Sequence, residues 1–474
     1  MPKPTVDPQN VVDASPTKEF FIDILVRDVE LTYAIAELVD NSVDGAKLLR
    51  ETNGNKGSKK ETSLFHGLYV HISFDTNRFE IVDNCGGMSV DTAKRYAFKF
   101  GRIDRPEKIR RGVGTFGVGM KRALFKLGGN FEIESTTKNS SFSLELDVEQ
   151  WKKKKENDSE DWHFPLSRVS ENDRNAANQI GTTIEVTQLH NPVKEEFSLK
   201  SFKNRLVVLI QDQQSINVAQ GLEIKINDHY LDPVDYRILL SKRLKPFLRE
   251  KSHQVTVGKR KGRVKVRIIA GVGRASKLSQ AGWYIYCNGR MVLRADKSSV
   301  TGWGVKGAEK GLSAQFSIPK GQGTPSAHNQ FAHFRGFVFF ESDDTTLLPW
   351  NTAKSGIDPE APVYQTVKLE MIAALREVID FLNRLDAEKD RREYALQEVM
   401  DDADEVDIVS LKSKSAHFTA PETGSTDTDD RMVKILYHKP AEEFELVKRL
   451  SKARSAKQVG EVTFEYYLNS EGQS

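Results

Sequence analysis

One helix-forming stretch constrains this chain more than any other: Leu31-Thr-Tyr-Ala-Ile-Ala-Glu37-Leu-Val-Asp-Asn41-Ser-Val-Asp44-Gly45-Ala46. At about 100° per residue, Glu37, Asn41 and Asp44 fall on one narrow face, while Leu31, Ile35, Leu38 and Ala46 lie opposite. Such a helix must bury its apolar side against a layer and present two acids and an amide on the other. Taken alone, the polar face reads as an ordinary solvent-facing stripe. The segments that follow it argue for more.

Tyr69–Phe74 and Phe79–Asp83 alternate around Asp75-Thr-Asn-Arg78, the pattern of a β-hairpin. The second strand ends in Asp83-Asn-Cys85-Gly86-Gly87-Met88. A carboxylate there can accept a hydrogen bond from an exocyclic amine, and the glycines let a flat ring approach the backbone. Next comes Arg111-Gly112-Val-Gly114-Thr-Phe-Gly117-Val118-Gly119-Met-Lys121, a glycine-rich loop running into a predicted helix. Backbone N–H groups at a positive helix end suit phosphate. The formal Gly-x-Gly-x-x-Gly match is not a dinucleotide fingerprint, because charged Arg105–Arg111 precedes it instead of a buried strand. No Gly-Lys-Ser/Thr follows, which excludes a Walker A loop, and the partner motifs of a protein kinase are absent.

Together, Glu37-x-x-x-Asn41-x-x-Asp44-Gly45, Asp83-x-x-x-Gly87-Met88, Gly114-x-x-Gly117-x-Gly119 and Gly181-Thr182 resemble, in order, the four ATP-site motifs of the GHKL superfamily: gyrase B, HtpG-type chaperones, histidine kinases, MutL and the MORC ATPases. The pattern is closest to MORC-like and MutL-like proteins. The resemblance implies a Bergerat-type ATP-binding sandwich with ATP and Mg²⁺ as ligands. It makes Glu37 the base that activates water and Asn41 the Mg²⁺ ligand. Asp83 becomes the adenine partner beside Thr182, with Asp44, Gly87 and Met88 in the pocket. Gly114, Gly117, Val118, Gly119 and Lys121 become the lid over the phosphates. Cys85 stands where the usual Asp-x-Gly-x-Gly pattern has its first glycine, and Gly45 where alanine is common. Further on, Leu348-Pro-Trp-Asn-Thr-Ala-Lys354 resembles the lysine loop of a transducer domain, and Tyr286-Cys-Asn288-Gly289-Arg290 its Asn-Gly-Arg strand end. By that resemblance Lys354 is the second catalytic residue, reaching the γ-phosphate. A histidine-kinase reading is disfavoured, since those proteins carry a phospho-acceptor hairpin ahead of the ATP domain and usually lack the hydrolytic Glu.

The expected fold class is α+β, in six parts: an arm over 1–16, the ATP-binding domain over 17–195, a transducer-like α+β domain over 196–360, a long helix over 361–400, an acidic linker over 401–430 and a small C-terminal module over 431–474. Within these, helices are predicted over 17–26, 29–49 and 197–213. Strands are predicted over 130–136, 141–146, 182–188, 222–227, 264–270, 283–287 and 334–340. Leu369, Ile372, Leu375, Val378, Ile379 and Leu382 supply the long helix with an apolar stripe. The linker reading follows from nine acidic residues against two lysines between Asp401 and Asp430.

Charge and composition bear on partners. A formal charge of +3 leaves no global field for nucleic acid or membrane, so such binding must be local. The local candidate is Lys242–Arg267, with eleven basic residues against one Glu, which reads equally as a phosphate footprint or as a solvated hairpin. The alternative is a chaperone-like or signalling ATPase switch that acts on protein partners through the C-terminal tail. Two cysteines exclude a disulfide framework, and the ten histidines show no metal-ligand spacing. No run approaches the ~20 apolar residues of a membrane span, and a cytoplasmic setting is expected. The resemblance further implies an ATP-dependent homodimer that clamps a client.

Overall fold

The computed structural model describes residues 16–52, 64–100, 118–156, 159–171, 180–258, 260–305, 323–351, 354–391, 395–411, 416–422, 438–453 and 455–471. Gly114, Gly117, Lys259 and all of the N-terminal arm but Pro16 lie outside the described residues. Helix and sheet are mixed, as α+β requires. Helix Lys18–Arg27 starts at Thr17, whose side chain accepts from the Phe20 amide as an N-cap. Helix Leu31–Thr52 follows.

An eight-stranded sheet backs these helices. Its spatial order is His229–Tyr230, Glu223–Ile226, Tyr69–Phe74, Phe79–Asp83, Gly181–Leu189, Gly128–Thr136, Ser140–Asp147 and Ser167–Glu171. The first hairpin has its expected bounds and pairs Val70 with Asp83. Asp75 Oδ1 accepts from the amides of Asn77 and Arg78, which closes the turn. The sequence reading assigns 222–227 to the second domain, and here the structure differs. Glu223–Ile226 runs parallel beside Tyr69–Phe74 in the first sheet. A parallel pair needs a long crossover, and helices Asn191–Ser198 and Lys200–Gln213 provide it. Phe202, Leu206 and Ile210 from that crossover are buried in the first core, which extends from Ile22 to Leu231 and so passes the expected boundary at 195.

The second layer is a five-stranded sheet ordered Phe247–Val257, Arg260–Val272, Phe334–Glu341, Gly282–Cys287 and Arg290–Asp296. Asn288 and Gly289 join the last two with φ of 50° and 81°, the left-handed pair of a two-residue hairpin turn whose twist matches its strands. Helix Pro362–Arg391 covers this sheet. Ile372, Leu375, Val378, Ile379 and Leu382 from the expected stripe are buried, but Leu369 is 37% exposed. The helix stops at Arg391, and a separate one spans Ala395–Asp401, where a single helix to Met400 was expected.

The acidic stretch is not a free linker over its first half. Asp404–Asp407 pairs antiparallel with Arg237–Leu240, and Ala416 and Thr419 bridge to Leu248 and Lys245. Ile408 is buried with Ile238 in the second layer, so backbone pairing and one apolar anchor outweigh the acidic composition. A second compact unit, Thr423–Ser474, contains helices Ala441–Leu450 and Ala456–Glu471. Among the described residues no helix is long and apolar enough to cross a membrane.

Candidate functional site

Helix Leu31–Thr52 is buried on two sides. Ala34, Ile35, Leu38, Val39, Val43 and Ala46 sit in the first core. Its polar side faces the second layer, where Glu37 is 5% exposed and Asp40 is fully buried. Lys354, from a loop more than three hundred residues away in sequence, sets its Nζ 3.0 Å from Glu37 Oε2 and 3.6 Å from Asp40 Oδ2. Glu37 Oε1 is buried and has no hydrogen-bond partner among the described residues. The site therefore brings an acid and a lysine from separate layers into direct contact.

The lysine loop is built to deliver that contact. Trp350 and Ile357 bridge its base, and Trp350 Nε1 donates to the Thr345 carbonyl. Asn351 accepts the Lys354 amide at its carbonyl and the Ser355 amide at its side chain. Lys354 itself adopts φ of 51°, a left-handed conformation that costs a non-glycine residue about 1–2 kcal/mol. Its ammonium is nonetheless buried on the two carboxylates, so the surrounding contacts outweigh the local strain.

Gly119 opens helix Gly119–Leu127 against the same carboxylate. A Cβ on Gly119 would stand 2.0 Å from Glu37 Oε2, so only glycine lets the helix N-terminus approach this closely. Val118, the residue before it, is half-buried. Lys121 departs from the expected lid. It is 1% exposed, its Nζ donates to the Ala97 carbonyl, and it lies over the Phe100 ring. It is packed inside the layer, because position 121 falls in the first turn on the buried side of an amphipathic helix.

Asp83 closes the other end. Ser42 Oγ donates to its Oδ2 at 2.7 Å and the Cys85 amide to its Oδ1 at 2.8 Å. Thr182 is its cross-strand partner and shares a hydrogen bond with Ser135 at 2.9 Å. Ser135 also accepts the Met88 amide at 2.7 Å, beside Gly87. Burial raises the Asp83 carboxyl above the ordinary carboxylate value, against the hydrogen bonds from Ser42, Cys85 and Thr182.

Cys85 and Gly45, which look like separate departures in sequence, are one feature in space. The positive φ of the turn falls on Gly86 and Gly87, at 105° and 66°, so Cys85 carries no backbone strain. The Cys85 carbonyl instead reaches the helix, where a Cβ on residue 45 would stand 2.7 Å from it. Glycine at 45 makes room for the carbonyl of residue 85.

Asn41 is exposed and its side chain makes no hydrogen bond among the described residues, and Asp44 is half-buried. An exposed neutral amide oxygen is a suitable ligand for Mg²⁺, which keeps waters and phosphate oxygens in most of its positions. No group of three or more His, Cys, Asp or Glu able to hold a metal occurs among the described residues.

Sequence reasoning missed Asp40, Arg290, Ser42 and Ser135. In sequence Arg290 is only the last residue of the Asn-Gly-Arg strand end, yet it is 1% exposed and pairs with Asp40. An acid at 40 lies only about 60° round the helix from Glu37, which is the one signal that pointed at it.

Residues 29–182 match the family described as histidine kinase-, DNA gyrase B-, and HSP90-like ATPase. The match supports a GHKL-type ATPase domain there and, with it, ATP binding. No curated protein matches the chain.

Proposed function

Starting from a GHKL-type ATP-binding domain over residues 29–182, we propose that the chain binds ATP with Mg²⁺ and hydrolyses it to ADP and phosphate. The observation that carries this reading is the meeting of Glu37, Lys354 and the N-terminus of helix Gly119–Leu127 at one buried point. Asp83 receives the adenine amine, with Thr182, Gly87 and Met88 as the walls of the ring site. The triphosphate runs toward the helix N-terminus, whose first-turn N–H groups favour anions. Gly114, Gly117, Val118 and Gly119 cover the phosphates, and Asp44 lines the approach. Asn41 would hold Mg²⁺, which when bound would neutralise charge on the phosphates.

Glu37 and Lys354 then divide the work. The γ-phosphate competes with Glu37 for the Lys354 ammonium. Once released, the Glu37 carboxylate orients the attacking water and takes its proton as the oxygen bonds to phosphorus. The bond to the β–γ bridging oxygen breaks, and ADP leaves with that electron pair. Lys354 offsets charge on the transferring group.

Asp83 makes this reading dependent on pH in a defined direction. Only its ionised form is a pure acceptor for the adenine amine, and burial raises its pKa. ATP affinity is expected to fall as pH drops through that raised pKa. Titrating wild type and Asp83→Asn with ATP by calorimetry isolates the effect. An identical pH slope in both proteins would remove Asp83 from adenine recognition.

For the client, we favour an ATP-dependent dimeric clamp on nucleic acid, supported by the basic hairpin. Lys261, Arg263 and Lys265 occupy alternate positions of one strand and are exposed, with Lys265 2.9 Å from Glu250 on the neighbouring strand. Much of the remaining charge is already used: Arg243 pairs with Asp402, while Arg249 and Lys251 pair with Glu370. The footprint is therefore narrower than eleven residues. Replacing Lys261, Arg263 and Lys265 with glutamine is expected to weaken duplex DNA binding and reduce its log–log salt slope by about 1 per residue in contact with phosphate. ATP turnover with and without duplex, with mass followed in solution, tests the clamp. An unchanged slope, with turnover indifferent to DNA, directs attention to the alternative of a protein partner. Phe464, Tyr467 and Leu468, exposed on helix Ala456–Glu471, favour that second reading, and removing that helix would then abolish partner binding without changing turnover.

A further inference from the structure

Beside the proposed hydrolytic pair lies a buried junction that takes no part in the bond-making and bond-breaking described above. Arg290 Nε sits 3.1 Å from Asp40 Oδ1, and the two side chains are 1% and 0% exposed. Gln214 Nε2 donates to the same Asp40 oxygen at 2.9 Å, and Asn217 Nδ2 donates to Gln214 Oε1 at 2.7 Å. Arg290 spends its other nitrogens on the second layer and the crossover: Nη1 donates to the Lys354 carbonyl and Nη2 to Gln213 Oε1, each at 3.1 Å. Lys354 is thus held at both ends, its carbonyl by Arg290 and its ammonium by Glu37 and Asp40.

We propose that Asp40 is a positioning residue for ATP hydrolysis, which through Arg290 fixes the backbone of Lys354 so that the lysine reaches the phosphate beside Glu37. The proposal rests on the hydrolytic reading above. Two physical points carry it. Burying a charged pair is a weak source of stability, since desolvation consumes most of the attraction, so geometry is the stronger reason for this pair. Arg290 also ends the Asn288-Gly289 turn, whose Asn288 carbonyl accepts from Lys47 at 2.9 Å. The strand end is therefore tied to the helix at two places, and the Lys354 loop hangs from one of them. When a γ-phosphate draws Lys354 off Glu37, Asp40 remains as the acid that keeps Arg290 neutralised and the loop in register.

Asp40→Asn alone would strand a buried guanidinium, so the test neutralises both partners with Asp40→Asn/Arg290→Gln and compares it with Arg290→Lys, which keeps the charge but not the fork. Steady-state turnover, ATP affinity and far-UV circular dichroism are measured on the full chain, each with and without Lys354→Ala. Both variants are expected to lose about 100-fold in kcat, the cost of misplacing a reacting group by about 1 Å, with ATP affinity and dichroism little changed. Lys354→Ala is then expected to cost much less in these backgrounds than in the wild type, because the lysine is already out of place. Wild-type kcat in either variant overturns the proposal. So does an equal cost of Lys354→Ala in every background, or a joint loss of binding and dichroism, which would mark a purely structural role. A wild type that binds ATP without turning it over has a different signature: it overturns the hydrolytic reading, and the positioning role falls with it.

Discussion

Glu37→Gln is expected to lower steady-state ATP turnover by about 10²–10⁴-fold while ATP still binds. The amide keeps the shape of the side chain, so its contact with Gly119 and its place on the helix survive. What it loses is the capacity to take a proton from water. Lys354 also loses one of its two carboxylate neighbours, but Asp40 Oδ2 remains 3.6 Å away, so the ammonium is not left alone. Turnover by phosphate release and affinity by calorimetry separate the two effects. Turnover at the wild-type rate would remove Glu37 as the base, and loss of ATP binding together with turnover would show that the substitution damages the pocket instead of the chemistry.

Arg290→Ala carries the largest expected effect on stability. Asp40 would be left buried with its main counter-ion gone, and breaking a buried pair from one side costs about 3–5 kcal/mol. The pH dependence has a definite sign. Burial raises the Asp40 pKa above the ordinary carboxylate value, against the pull of Arg290 and Lys354. The native state then holds a proton that the unfolded chain has lost, so between the ordinary and the raised value stability falls as pH rises. Removing Arg290 widens that window upward. Urea unfolding of wild type and Arg290→Ala at pH 7 and pH 5 is expected to show the larger deficit at pH 7. An equal deficit at both values would mean that Asp40 does not carry the lost charge balance.

The parts of this protein that are legible in sequence are those set by neighbours along the chain. The hairpin ending at Asp83 follows from alternation and an Asx turn. The left-handed turn at Asn288 and Gly289 follows from two residues that tolerate positive φ. Helix Leu31–Thr52 follows from its apolar period, and the four motif segments stand out because each packs its residues into a few positions. Composition misled where pairing is long-range. The acidic run contributes a strand beside Arg237–Leu240, and several members of the basic run are neutralised by acids far away, Glu370 and Asp402 among them. Nothing local to Glu223–Ile226 says that it joins the first sheet beside Tyr69 and not the second.

The same division holds within the site. The chain's local order sets the types of side chain on offer: an acid and an amide on one helix face, a carboxylate at a strand end, glycines where a helix must start close to another. Which of them meet depends on how the layers pack. That packing sets Lys354 on Glu37, buries Asp40 under Arg290, turns Lys121 into the layer and makes Gly45 the complement of the Cys85 carbonyl. The physical reason is that periodicity and turn chemistry are properties of adjacent residues, whereas an ion pair in a low-dielectric interior depends on desolvation and on a partner that the chain supplies hundreds of residues later.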